Sequence, residues 1–161
     1  MPVLLFVLFQ ANNYEFQVLY FIFCSINLNL SFMSINPKTT GIHHIALRCT
    51  DMSITKNFYQ DILGFTLALD SPEIIGLVAG PVIIAFKKAN AETGKDVFTP
   101  FNIGLDHIAL ACETEEELHR VAQELTDAGI ENTGVKTDDT LQKKYVAFKD
   151  PDRIQWEFYM I

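Results

Sequence analysis

Apolar and polar residues alternate with period two along residues 44–49 and again along 107–112. The two stretches are nearly the same hexapeptide, His44-Ile-Ala-Leu-Arg-Cys49 and His107-Ile-Ala-Leu-Ala-Cys112. Five identical positions out of six mark an internal duplication. On a strand, His44, Ala46 and Arg48 share one face while Ile45, Leu47 and Cys49 share the other, and the second copy divides the same way. Aliphatic residues behind and small or polar ones in front predict sheets backed by helices, with a cavity along the front.

The segments after each copy repeat as well. Thr50-Asp-Met-Ser53 supplies capping side chains, and Ile54, Phe58 and Ile62 at four-residue spacing, with Leu63 beside them, predict an amphipathic helix that Gly64 ends. Strands are predicted over 65–69, 74–78 and 82–87, separated by Asp70-Ser-Pro72 and Gly80-Pro81. Residues 89–102 lack periodicity and read as a linker. In the second half a strand over 104–112 leads to a capping box, Thr114-x-x-Glu117, and a helix with Leu118, Val121, Ala122, Leu125 and Ala128 inward, stopped by Gly129. Strands over 130–135, 144–148 and 154–160 follow, with turns at 137–140 and 150–153. In the last strand Ile154, Trp156 and Phe158 lie on one face and Gln155, Glu157 and Tyr159 on the other. The expected fold class is α+β, two tandem β-α-β-β-β modules: module one over 41–88, the linker over 89–102, module two over 103–161.

Composition narrows the function classes. With 161 residues, 49% hydrophobic and 20% charged, the chain can bury one core shared by two small modules. A formal charge of −8, with no basic cluster against it, excludes a nucleic-acid backbone as partner. Cys24, Cys49 and Cys112 form no CxxC, and the two in the repeats face the predicted core, as in a reduced, cytoplasmic protein.

Residues 1–32 differ from the rest, with six of the thirteen phenylalanines, one charged residue (Glu15) and no Lys or Arg. Their apolar runs, 3–9 and 18–24, fall short of the roughly 20 residues of a membrane span, and no basic n-region marks a secretory signal. They read as an apolar leader outside the working domain, which spans 33–161, with no membrane partner. A chain started at Met33 is expected to unfold as cooperatively as the full chain, measured by thermal denaturation; loss of cooperativity would place the leader in the core.

A single histidine on a strand is usually a hydrogen-bonded structural side chain. Here the duplication relates His44 to His107, and Glu157 lies opposite an apolar face at the end of module two. Two imidazoles and one carboxylate suit one divalent ion, Fe, Mn, Zn, Ni or Co, with positions left for a small-molecule substrate or water.

These residues resemble the vicinal oxygen chelate superfamily, which includes glyoxalase I, extradiol dioxygenases, methylmalonyl-CoA epimerases, fosfomycin-resistance transferases and bleomycin-resistance proteins. The resemblance is carried by His43-His-Ile-Ala-Leu-Arg-Cys-Thr-Asp51, Asn57-Phe-Tyr-Gln-Asp-Ile-Leu-Gly-Phe65, Leu105-Asp-His-Ile-Ala-Leu110 and Asp150-Pro-Asp-Arg-Ile-Gln-Trp-Glu-Phe158, and it covers about residues 41–161. It implies a U-shaped mixed sheet around a metal held by His44, His107 and Glu157, with Glu157 also the catalytic base and Arg48 binding an anionic part of the substrate. The fourth ligand of glyoxalase I falls on Ala85. An extradiol dioxygenase would carry tyrosine at Ala147, and a fosfomycin transferase threonine at Ala46. The resemblance therefore implies a glyoxalase-like, metal-dependent lyase or isomerase. The alternative is a binding protein of the bleomycin-resistance type, with dioxygenase and epimerase activities ranked behind both. The small sheets, with free edges and apolar faces, imply a homodimer in which the modules pair either within a chain or between chains.

Overall fold

The computed structural model describes Ile35, residues 37–90 and residues 96–161. The chain falls into two compact units, Met1–Lys38 and Thr39–Ile161, and every element below belongs to the second. The expected leader and Cys24 lie outside the described residues. Among the described residues, no helix is long and apolar enough to cross a membrane.

Module one begins with β1 (His44–Cys49), and Asp51 after it is a helix N-cap: its carboxylate accepts hydrogen bonds from the backbone of Ser53 and Ile54, 2.8 and 3.0 Å. This starts α1 (Met52–Lys56), which continues as a π-helix over Asn57–Ile62. The wider turn changes which residues point inward. The four-residue spacing had placed Ile54, Phe58 and Ile62 on the buried face, yet Ile54 is 57% and Ile62 48% exposed, while Thr55, Phe58 and Tyr59 are buried. A π turn needs about one more residue than an α turn, so Phe58 and the adjacent Tyr59 both reach the core. The sheet that follows, β2 (Thr66–Asp70), β3 (Ile75–Ala79) and β4 (Val82–Lys88), has the order β1-β4-β3-β2, with β1 parallel to β4.

Module two repeats this topology. Its strands are β5 (Ile108–Cys112), β6 (Lys136–Thr137), β7 (Lys144–Lys149) and β8 (Gln155–Met160), in the order β5-β8-β7-β6. Between β5 and β6 runs α2 (Glu115–Asp127), which buries Leu118 and Leu125. Ala128, expected inward, is exposed beyond its last turn. Only half of the expected capping box forms: Thr114 accepts from the Glu117 backbone at 3.2 Å, but the Glu117 carboxylate pairs with Arg120 instead of reaching back. The strand expected over 130–135 is reduced to a single bridge, Asn132 with Phe148, and regular pairing starts at Lys136. Gly134 has φ +63°, and the Asn132 side chain accepts from its N–H at 2.9 Å, so local turn bonds replace the ladder there.

The eight strands thus form an α+β fold of two four-stranded mixed sheets, each a β-α-β-β-β module. The modules meet through their apolar backs. Tyr59 lies against Phe86 of its own sheet (ring centroids 4.6 Å) and Trp156 of the other (5.4 Å), and both Tyr59 and Trp156 are fully buried. Polar bonds cross the same seam. The Tyr59 hydroxyl donates to Asp150 at 2.8 Å, and Thr50 donates to Asp152 from its backbone (3.0 Å) and its hydroxyl (2.6 Å). Cys49 and Cys112 are buried free thiols, each held above the ordinary thiol pKa by burial.

Candidate functional site

Backs packed together leave the two sheet fronts facing outward, and strand register sorts their side chains into rows. In module one, Ala46 lies beside Ala85 and Arg48 beside Lys87. In module two the corresponding rows are Ala109–Glu157–Ala147 and Ala111–Tyr159–Tyr145. Ile45 pairs with Ile84 as Ile108 pairs with Trp156, so Ala85 occupies the position equivalent to Glu157. Module one therefore has no carboxylate where module two has one. Its front is floored instead by small residues, Ala46, Ala85 and Gly76. A Cβ on Gly76 would come within 3.2 Å of the Leu69 Cβ, a tight contact that favours glycine there.

His107 and Glu157 are brought together. The His107 Nε2 lies 3.5 Å from the Glu157 Oε2, and its Nδ1 is 2.6 Å from the Asp106 carboxylate. An ionised carboxylate accepts, so the Asp106 contact favours a proton on Nδ1, the arrangement in which Nε2 would be the nitrogen presented to a metal. A separation of 3.5 Å is long for a direct hydrogen bond. It matches two donors of one metal, since bonds of about 2.1 Å at a tetrahedral angle put the donors about 3.4 Å apart. Glu157 is 7% exposed, and burial raises its pKa, with the His107 charge acting in the opposite direction.

His44 stands apart from this pair. It is exposed on the front of β1, with its Nδ1 3.0 Å from that of His43. Among the described residues no three His, Cys, Asp or Glu side chains are close enough to hold a metal. The structure therefore unites two of the three expected ligands and leaves the third on the other module. Arg48 shares the His44 face, and its Nη1 donates to the Lys88 carbonyl at 2.9 Å.

The cavity at His107 and Glu157 has a volume of about 520 Å³. Its other walls include Tyr145, Tyr159, Asp138 and Leu141, none of which had been singled out as site residues from sequence. The Tyr159 hydroxyl donates to Asp138 at 2.9 Å, and the Thr140 and Leu141 amides also donate to that carboxylate. These bonds, led by that of Leu141, hold Asp138 below the usual carboxylate range. Tyr159 could have been found from the alternation that puts it on the Glu157 face. Asp106 could have been found from its place beside the repeated histidine.

A family model described as "Glyoxalase/Bleomycin resistance protein/Dioxygenase superfamily" matches residues 41–158. The chain is similar to the uncharacterized protein YwkD of Bacillus subtilis, 30% identical over 135 residues that cover 74% of this chain and 95% of the relative. It is also similar to the metallothiol transferase FosB of Staphylococcus saprophyticus, 25% identical over 119 residues, 74% of this chain and 76% of FosB. Among solved structures, a glyoxalase family protein from Enterococcus faecalis superposes with a TM-score of 0.63 at 27% identity, covering 74% of this chain and 97% of that one.

Proposed function

The chain belongs to the Glyoxalase/Bleomycin resistance protein/Dioxygenase superfamily, and we propose that it is a divalent-metal-dependent enzyme of the lyase or isomerase type. In this reading His107 and Glu157 of one chain and His44 of a second copy hold the ion. The observation that carries it is the 3.5 Å separation of His107 and Glu157, on a face that lacks its third ligand.

Two further features support a shared site. β1 and β5 are both sheet edges, each hydrogen-bonded along one side only, and such edges favour pairing with another chain. The front of module one carries His44, Arg48 and Lys87, whereas the His107 face carries Asp106, Asp138, Asp139 and Glu157. Opposite charge steers one front onto the other, and a twofold dimer makes that contact twice.

Held by these residues, a Zn, Ni, Co, Mn or Fe ion would supply Lewis-acid polarisation of vicinal oxygens of a small substrate, which would acidify the adjacent C–H. The chain's own residues do the rest. Asp106 keeps the His107 imidazole in the tautomer that presents Nε2. Glu157, its carboxyl raised by burial, accepts the proton. Arg48, beside Lys87, holds an anionic part of the substrate. With Ala85 at the equivalent position, proton transfer falls to Glu157 alone. Ala85 is also the one observation that favours the alternative, a cup that binds its ligand without turnover.

Elemental analysis tests the reading. The purified protein is expected to hold about one ion per chain, and His107→Ala to lose it while keeping a cooperative thermal transition. Unchanged metal in that variant would overturn the ligand assignment, and a metal-free wild-type protein that a small ligand stabilises would favour binding alone.

A further inference from the structure

We propose that Tyr145 and Tyr159 form a wall that receives a neutral, planar aryl substituent on the chelated substrate. This rests on the reading of His107 and Glu157 as metal ligands and goes beyond it by naming a substrate class.

The argument starts from the rows on the front of module two. Glu157 is flanked on both neighbouring strands by alanine, Ala109 and Ala147, so nothing bulky crowds the space above it. The next row along β8 is Ala111–Tyr159–Tyr145. Two residues along a strand span about 7 Å, which places the tyrosines where a group one or two bonds beyond a chelated oxygen pair would lie. Their rings are stacked, with centroids 6.2 Å apart and planes 17° from parallel. They line one cavity with His107 and Glu157.

The Tyr159 side of the wall is also held in place. The Tyr159 hydroxyl donates to Asp138 at 2.9 Å, and Asp138 is anchored by the Thr140 and Leu141 amides at 2.6 and 3.0 Å. The Asp138 amide in turn donates to the Lys143 carbonyl at 2.8 Å, closing the loop between β6 and β7. A ring fixed before the ligand arrives loses little side-chain entropy on binding. Aromatic surfaces of this kind favour stacking or edge contacts with another flat ring. The charge of the cavity selects further. Asp138 and Asp139 lie at this end, so a carboxylated or phosphorylated substituent is disfavoured here. The position equivalent to Tyr159 in module one is Lys87, so the aryl wall is confined to module two.

The test uses two hydroxamates that chelate through the same pair of oxygens, benzohydroxamate and acetohydroxamate, titrated into the metal-loaded full chain. The aryl compound is expected to bind about tenfold more tightly. That ratio should fall close to one in Tyr145→Ala. Tyr145→Leu, which keeps apolar bulk, covers the case in which the alanine variant does not fold, and it too should lose most of the ratio. Tyr159→Phe, which keeps the ring, should retain it. A ratio near one in the wild type, or one unchanged in both Tyr145 variants, would overturn the aryl wall while the metal site stands. A protein that takes up no metal, or whose metal binds neither hydroxamate, would overturn the metal reading, and the aryl wall with it.

Discussion

Mixing a His44→Ala chain with a Glu157→Ala chain is expected to restore metal binding to about a quarter of the wild-type level, although neither variant binds metal alone. In a twofold dimer with shared sites, each site takes His44 from one chain and His107 with Glu157 from the other. A mixed dimer then holds one site with both defects and one with none. Random exchange makes about half of the dimers mixed, and half of their sites are whole. The structure motivates the experiment directly: His107 and Glu157 sit 3.5 Å apart while His44 lies on the other module, whose back is fastened to module two through Tyr59. Sites built within one chain would give no recovery at any mixing ratio. Light scattering is the companion measurement, and a monomer at micromolar concentration would exclude the shared site.

The duplication and most of the strands were legible because period-two alternation is a local property. His44 lies on the front of its strand, opposite the aliphatic face, and Ala85 falls on the Glu157-equivalent position because both modules keep the same register. Three features were not legible. The π-helix at Asn57–Ile62 buries Tyr59 in place of Ile54 and Ile62, and a four-residue spacing carries no sign of the widened turn. The segment before β6 looked like a strand by composition, but Asn132 and Gly134 close a local turn. The pairing of modules back to back was hidden because it depends on contacts between residues about ninety positions apart, such as Tyr59 with Asp150. That pairing separates the three candidate ligands, so the least legible feature is the one on which the architecture of the site depends.

Replacing Asp150 with asparagine is expected to remove a pH-dependent part of the protein's stability worth about 3 kcal/mol between pH 4 and pH 7. Asp150 is 4% exposed and accepts three hydrogen bonds, from the Tyr59 hydroxyl at 2.8 Å and from the Asp152 and Ile154 amides at 2.9 and 2.8 Å. Burial outweighs those bonds and pushes its carboxyl up to about 6. The folded value is thus above the unfolded one, near 3.9. The protonated acid is the form that folding favours, so the contribution is fully present below about pH 4 and is lost as pH rises through 6. Other carboxylates are shifted as well, Glu157 upward and Asp51 and Asp138 downward, but they are common to both proteins and cancel in the comparison. The measurement is chemical denaturation of wild type and Asp150→Asn at several pH values. The wild type should lose stability relative to the variant as pH rises from 4 to 7, and most of the divergence should fall between pH 4 and 6. Asp150→Ala should be less stable than Asp150→Asn at every pH, because it leaves the buried Tyr59 hydroxyl and two amides without an acceptor, at about 1–3 kcal/mol for each unsatisfied group. Parallel curves for wild type and Asp150→Asn would mean that the carboxylate titrates as if exposed, and that the bond from module one to this turn does not persist in solution.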